Sequence, residues 1–391
     1  MDPGVRPVTV RPVTARPVKP ESSAVITGFG SSEIGRRLGR DPLLLTADAA
    51  LAAIADAGLS PGDIDGVSTY PGALWSTPGI TGAGVDDVRA LLGLRLRWHT
   101  GGGELPGQLG SVVNAVLAIA TGLATHVLCF RTVWESTAQD RAGGRSSVVA
   151  SSGRESMQWG KPYGAGYPTY GALAMQRYMS ETGATREQFA QLAVVSRANA
   201  AANPAAVYRE PMTVDDYLGA RMISDPLCVF DCDVPVDGAV AVVVSDAAAA
   251  AVDRTRAIRI ESMGSASGFD ESADMLWSRT ELAPSDVEVA EIYDGFTIYA
   301  VRWLEALRLT PRGETGPFIE GGKRIALDGE LPVSTGGGQL SGGRLHGYGA
   351  LLEACIQLRG LGGARQVPGP PGVAVVSSGA ESFTSCLLLT R

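Results

Sequence analysis

Two short stretches near the C-terminus hold the side chains best suited to acid–base chemistry. The first, Glu-Ile-Tyr-Asp-Gly-Phe-Thr at 291–297, offers Tyr293 and Asp294. The second, Ser334–Gly349, combines seven glycines with Ser341, Arg344, His346 and Tyr348. A positioned phenol, carboxylate or imidazole can move a proton to or from a reacting atom, and a neighbouring cation or helix end tunes it. Glycine at this density lets the backbone approach a ligand closely and adopt φ > 0. His346 and Tyr348 are two apart. On a strand they would share a face, and at a turn entering a helix both could face one pocket, where the helix N-terminus favours a developing anion. The same letters also fit a glycine-rich surface loop, and Tyr293-Asp294 also fits a packing tyrosine followed by a helix cap.

The elements that must position these loops read as α/β. Ala24–Gly30 is a short apolar strand, Leu43–Ala57 a helix ending near Gly58, Ile64–Tyr70 a strand, Val112–Leu123 an apolar helix and His126–Arg131 a strand. Gly238–Ser245 is apolar throughout, as expected of a strand buried on both faces. A second half opens at Ala257. Val287–Tyr293 is a strand that delivers Tyr293, Ile298–Leu307 and Leu345–Leu358 are helices, and Gly372–Ser378 and Thr384–Leu389 are strands. No residue-level repeat between the halves stands out. Residues 132–220 hold loop signals, aromatic residues and a helix over Thr185–Ala202, and read as a lid-like insertion. Arg-Pro-Val occurs three times within residues 1–22, which reads as a disordered, Pro-rich tail. The expected division is thus 1–22 tail, 23–252 first half including the insertion, and 253–391 second half.

Composition narrows the classes. Hydrophobic residues make up 45% of 391 and charged residues 19%, enough for a sizeable core. A net charge of −8 argues against non-specific nucleic-acid binding. No apolar run is long enough to span a bilayer, and the N-terminus lacks a secretory apolar segment. Five scattered cysteines, Cys129, Cys228, Cys232, Cys355 and Cys386, read as reduced cytoplasmic thiols without zinc-site spacing. Of three histidines, His126 reads as structural and His99 precedes a glycine loop.

Three ordered motifs resemble the thiolase superfamily, in the branch of sterol carrier protein thiolases and lipid-transfer-type steroid side-chain aldolases. Tyr293-Asp294-Gly295-Phe296 stands where the family reads like His-Asp-Cys-Phe. Gly337-Gly338-Gln-Leu-Ser341-Gly-Gly343-Arg344-Leu-His346-Gly347 is similar to Gly-Gly-x-x-Ser-x-Gly-His-x-x-Gly, with Arg344 at the family histidine. The segment from Met212 to Asp237-Gly238-Ala-Val-Ala completes the likeness. The resemblance covers roughly residues 24–391 and implies a thiolase-like fold of two similar halves with mixed sheets.

Both thiolase cysteines are absent. The matching places read Thr100-Gly-Gly-Gly-Glu-Leu-Pro-Gly107 and Ser377-Ser378-Gly379-Ala380-Glu381. Without a thiol there, no acyl-cysteine forms. The resemblance then implies retro-aldol cleavage of a β-hydroxyacyl-CoA, a 17-hydroxy steroid with a short CoA side chain giving a 17-ketosteroid and propionyl-CoA. Tyr293, Tyr348, His346 and Asp294 are the candidate acid–base groups, with the two tyrosines expected in one pocket. Gly102, Gly103, Gly379, Arg344 and Ser341 are candidates for holding substrate or the enolate oxygen. No metal site and no cofactor are expected on this chain, CoA being part of the substrate. The resemblance also implies a homodimer, with segment 107–131 as its contact, and a small OB-fold acyl-CoA-associated partner in trans that would carry any zinc. A non-catalytic acyl-CoA or sterol binder and a thiolase-like acyltransferase with a moved nucleophile are the alternatives.

Overall fold

The computed structural model describes residues 19–72, 78–102, 108–143, 160–249, 253–381 and 383–391. Its strands are β1 (Ala24–Ser31), β2 (Gly66–Thr69), β3 (Trp98–Gly101), β4 (His126–Trp134), β5 (Met222–Ser224), β6 (Leu227–Cys228), β7 (Asp237–Asp246), β8 (Ile258–Ala266), β9 (Val289–Glu291), β10 (Val373–Ala380) and β11 (Phe383–Thr390). β5 and β6 pair as a separate hairpin, and the other nine run in the order β3-β2-β4-β7-β1-β8-β11-β10-β9. β2 is parallel to β3 and β4, whereas β4–β7 and β7–β1 are antiparallel. The second half repeats this scheme, with β9 parallel to β10 and with β10–β11 and β11–β8 antiparallel. Among the described residues the sheet joins its two halves through two residue pairs of β1 and β8, Val25 with Arg259 and Ile26 with Ile258.

The helices are α1 (Pro42–Asp56), α2 (Val85–Leu92), α3 (Gly110–Ala120), α4 (Glu135–Arg141), α5 (Tyr167–Thr182), α6 (Arg186–Ala201), α7 (Val214–Leu218), α8 (Phe269–Trp277), α9 (Thr297–Ala306), α10 (Thr315–Ile319) and α11 (Tyr348–Leu358). Asp41 caps α1 by accepting from the Leu43 amide at 2.8 Å, and Gly58 in the left-handed region follows its end. The packing is layered. α3 and α11 share one apolar cluster with strands of both halves, α1 and α2 cover the outer face of the first, and α5, α6, α8 and α9 cover the outer face of the second. β7 shows why its sequence is apolar throughout. Val240, Val242 and Val244 enter the shared cluster, while Ala239, Ala241 and Val243 enter the outer one. Burying each valine contributes about 1.5–3 kcal/mol.

A residue-level repeat is present after all. Leu59-Ser-Pro-Gly-Asp-Ile64 and Leu282-Ala-Pro-Ser-Asp-Val287 each form a single 3-10 turn ahead of β2 and β9. In each, the aspartate accepts from the amide three residues back, Asp63 from Ser60 at 2.8 Å and Asp286 from Ala283 at 2.7 Å.

Three other expectations change. Ordered structure begins before Ala24, in a 3-10 turn over Pro20–Ser23. There Glu21 is 1% exposed and takes both Arg279 Nε (2.5 Å) and Nη2 (2.7 Å). Residues 1–18 of the expected tail lie outside the described residues. Thr132–Trp134 belong to β4 rather than to an insertion. Segment 107–131 cannot offer a sheet edge, because β4 lies between β2 and β7 and the first-half edge is β3. No helix of the described residues is long and apolar enough to cross a membrane.

Candidate active site

β9 ends at Glu291 and delivers the next residues to the mouth of a cavity of about 240 Å3, lined in part by Tyr293, Asp294, Gln339, Gly343, Leu345 and Gly347. The Tyr293 amide donates to Ser377 Oγ at 2.9 Å, fixing the residue to β10. Asp294 does cap a turn, but not the helix that follows it. Its Oδ1 accepts from the Gln339 amide at 2.8 Å and its Oδ2 from Leu340 at 3.4 Å, at the head of a single π-helical turn over Gly338–Gly342. Burial raises the Asp294 carboxyl to about 6 against the pull of those amides. Gly338 has φ +54°, and a Cβ there would stand 2.0 Å from Asp294 Oδ2.

The glycine-rich loop is held from behind by α6, in the region expected to be a lid. Ser196 Oγ donates to Gly337 O at 2.6 Å, and Asn199 Nδ2 donates to Val333 O at 3.1 Å and Ser334 O at 3.2 Å. Arg197 Nε donates to Ser341 Oγ at 2.9 Å. Ser341 is 1% exposed and committed to that contact, so it anchors the loop and does not line the cavity.

Beyond the turn the loop carries Arg344 and His346 into a charged cluster. Arg344 donates from Nη1 to Asp233 Oδ1 at 2.9 Å and from Nη2 to Glu135 Oε2. His346 Nε2 is 2.9 Å from Glu135 Oε1, and its Nδ1 is 3.3 Å from Arg131 Nη2. The guanidinium can only donate, so these partners assign the Nε2–H tautomer. Burial and the charge of Arg131 lower His346 to about 4, leaving it neutral at pH 7. Burial opposes the charged form of Glu135, yet Arg344, His346 and Arg131 together hold it at about 2. Asp233 differs. Burial raises it to about 7 although Arg344 pulls the other way, with Glu135 and Asp294 adding to the rise. Burial and the nearby Asp233 also push the Tyr293 phenol well above its ordinary range, so it stands protonated. Gln339 Nε2, Arg344 Nε and Arg131 Nε have no hydrogen-bond partner among the described residues.

Tyr348 does not share the cavity with Tyr293. It is fully buried in the layer between the two halves, and its hydroxyl lies 2.5 Å from Ser111 Oγ on α3. His346 at φ +51° and Gly347 at φ +84° break the alternation that would have put both side chains on one face. Gly379 has φ +79°, and its carbonyl accepts from Trp303 Nε1 at 2.9 Å. The Gly102 carbonyl accepts from the Gly72 amide at 3.1 Å. Gly103 lies outside the described residues, but the far flank of its loop reaches the second half, where Ser378 Oγ donates to Gln108 Oε1 at 2.5 Å. His126 is buried against Ser245, with Nδ1 2.8 Å from its Oγ, and His99 is exposed on β3.

Sequence reasoning missed Glu135, Asp233, Arg131 and Gln339. A usable signal existed in two acids set within apolar runs, Thr132-Val-Trp-Glu135 and Phe230-Asp-Cys-Asp233-Val. The thiols offer no nucleophile. Burial raises Cys228 to about 11 and Cys355 to about 12, and lifts Cys129, Cys232 and Cys386 further.

Known proteins share the sequence and fold of this chain. The family described as Thiolase C-terminal domain-like matches residues 249–389. The chain is 34% identical to the steroid side-chain-cleaving aldolase of Thermomonospora curvata, over 94% of this chain and 97% of that protein. It is 33% identical to the 17-hydroxy-3-oxo-4-pregnene-20-carboxyl-CoA lyase of Mycobacterium tuberculosis, over 91% and 98%. The solved Ltp2-ChsH2(DUF35) aldolase superposes with a TM-score of 0.81 at 31% identity, covering 94% of this chain and 98% of that one.

Proposed function

Because the chain belongs to the thiolase superfamily, in the branch of steroid side-chain-cleaving aldolases, we propose that it cleaves a β-hydroxyacyl-CoA by a retro-aldol reaction. The substrate in this reading is a 17-hydroxy steroid with a short CoA side chain, and the products are a 17-ketosteroid and propionyl-CoA. The observation that carries it is a protonated phenol on Tyr293, a residue that lines the cavity and lies in the field of Asp233 and Arg344, in a chain whose thiols are all raised. A Claisen enzyme needs a thiolate, whereas a retro-aldol enzyme needs proton carriers and a site for an enolate.

The β-hydroxyl proton passes to the Tyr293 oxygen while the phenol hands its own proton to a neighbouring base, and the Cα–Cβ bond breaks. The hydroxyl oxygen becomes the ketone oxygen, and the bonding pair moves into the thioester enolate. Of the side-chain donors near Tyr293, Gln339 lines the cavity, and in this reading its amide turns to the enolate oxygen. The reverse relay then delivers a proton from Tyr293 to Cα, so the step balances without an acyl-enzyme. Asp294 keeps Gln339 in place, and His346 with Glu135 keeps Arg344 in place.

For assembly the proposal is a homodimer meeting at the β3 edge, and a small OB-fold acyl-CoA-associated subunit in trans. The second point draws on the ChsH2 component named with the Ltp2 aldolase. The test is to incubate the protein, alone and co-expressed with such a subunit, with a 17-hydroxy steroid CoA thioester and follow ketone and propionyl-CoA. Release of both by wild type, lost in Tyr293→Phe, supports the reading. An acylated cysteine in the mass spectrum refutes it.

A further inference from the structure

Tyr293 is protonated before the reaction, so it can accept the substrate's proton only while giving its own away. We propose that Asp233 is the acceptor behind it, drawing the β-hydroxyl proton through the Tyr293 hydroxyl and returning it by the same route to Cα. This inference rests on the retro-aldol reading above. Residues 232–234 run between the two site loops. The Asp233 amide donates to Gly295 O at 3.2 Å, Cys232 bridges to Phe296, and the Arg344 amide donates to Val234 O at 2.8 Å. The chain thereby brings the Asp233 side chain onto Arg344 and into the field of Tyr293, whose hydroxyl must turn onto it to pass a proton. Its Oδ1 is occupied by Arg344 Nη1, whereas Oδ2 has no hydrogen-bond partner among the described residues.

The other acids are less suited. Glu135 has both oxygens engaged, by His346 and Arg344. Both Asp294 oxygens accept backbone amides. His346 donates one nitrogen to Glu135 and accepts from Arg131 at the other. Protons balance: the substrate hydroxyl gives one to Tyr293, Tyr293 gives one to Asp233, and both transfers reverse when Cα is protonated. The charged and titratable groups acting on Asp233 are Arg344, Glu135 and Asp294, with Tyr293, Tyr299 and Cys232 also in its field. They leave its carboxyl near neutrality, the range in which a group both takes and returns a proton readily.

The test is kcat against pH for wild type, Asp233→Asn, Asp233→Glu, Tyr293→Phe and the Asp233→Asn/Tyr293→Phe pair, with folding followed by thermal unfolding. Ionised Asp233 is the working form, so wild-type kcat should fall as pH drops through about 7. Asp233→Asn should lower kcat by about 10²–10⁴ with little change in KM and abolish that limb. Asp233→Glu should restore part of kcat and keep a limb. In the Tyr293→Phe background, Asp233→Asn should cost almost nothing more, because the two act as one unit. A purely structural role would change stability or KM and leave the limb alone. If Asp233→Asn does not fold, Asp233→Glu decides: an unmoved limb overturns the proposal. Asp233→Asn that keeps its limb, or the same loss in both backgrounds, overturns it too. Wild type that cleaves and dies with Tyr293→Phe but survives Asp233→Asn refutes this inference alone. Wild type that releases no ketone refutes the functional reading and this inference with it.

Discussion

Gly338→Ala should be among the most damaging single-methyl additions in the chain. At φ +54° a Cβ costs about 1–2 kcal/mol in the left-handed region. The added carbon would also stand 2.0 Å from Asp294 Oδ2, so the carboxylate must swing away from the amides of Gln339 and Leu340. Losing a hydrogen bond to a charged acceptor costs about 1.5–3 kcal/mol. The sum is about 2.5–5 kcal/mol, measurable as a fall in the urea midpoint at unchanged slope. The double variant makes the reasoning sharper. In an Asp294→Ala background the clash is gone, and Gly338→Ala should cost only about 1–2 kcal/mol. A cost below about 1 kcal/mol in the wild-type background, or equal costs in both, would refute this account.

Four further outcomes follow from the geometry. Tyr348→Phe should lose about 1 kcal/mol of stability, since only its bond to Ser111 goes, and keep kcat within a few-fold; urea titration and turnover check both. His346 binds its proton at about 4 when folded but near 6.5 when unfolded, so between those values the unfolded state holds more protons and stability falls with falling pH. The stability gap between wild type and His346→Asn should therefore narrow by about 3 kcal/mol from pH 7 to pH 4, read by denaturation at each pH. Cysteine-to-alanine changes at all five positions should leave turnover intact, and one dead variant would favour a moved nucleophile. Light scattering should return a dimer, and a charged residue placed in β3 at Thr100 should shift it toward monomer.

Much of the scaffold is legible in the letters. The unbroken apolar run of β7, the alanine face of α1 and the helix after Thr185 each have a local cause, in burial on two faces, small-residue packing and a capping threonine. Tyr293 was also legible, because a strand end opening into a helix faces the ligand side of α/β folds. The remainder depends on chain path. Spacing alone puts Tyr348 with His346, and two positive φ values, at His346 and Gly347, undo that spacing. Glu135 and Asp233 are separated by about a hundred residues and gain meaning only when Arg344 joins them. No periodicity records such a meeting. The Pro-x-Asp turns ahead of β2 and β9 were readable, but six residues in each half are easily passed over.

The narrow seam between β1 and β8 has a consequence for how this molecule fails. Arg131 and Glu135 come from one half, and Tyr293, Arg344 and His346 from the other, with just two backbone pairs joining the sheets directly. The rest of the grip between lobes comes from side-chain packing around α3 and α11, from loop bonds such as Asp233 N to Gly295 O, and from the cluster where Arg359 reaches Asp56 (2.6 Å) and Thr27 O (2.7 Å). A small loss of that grip leaves each lobe's secondary structure intact while parting Glu135 from Arg344 and His346. Inactivation by mild heat or denaturant should then precede any change in helix signal, and ageing preparations should go silent while still looking folded.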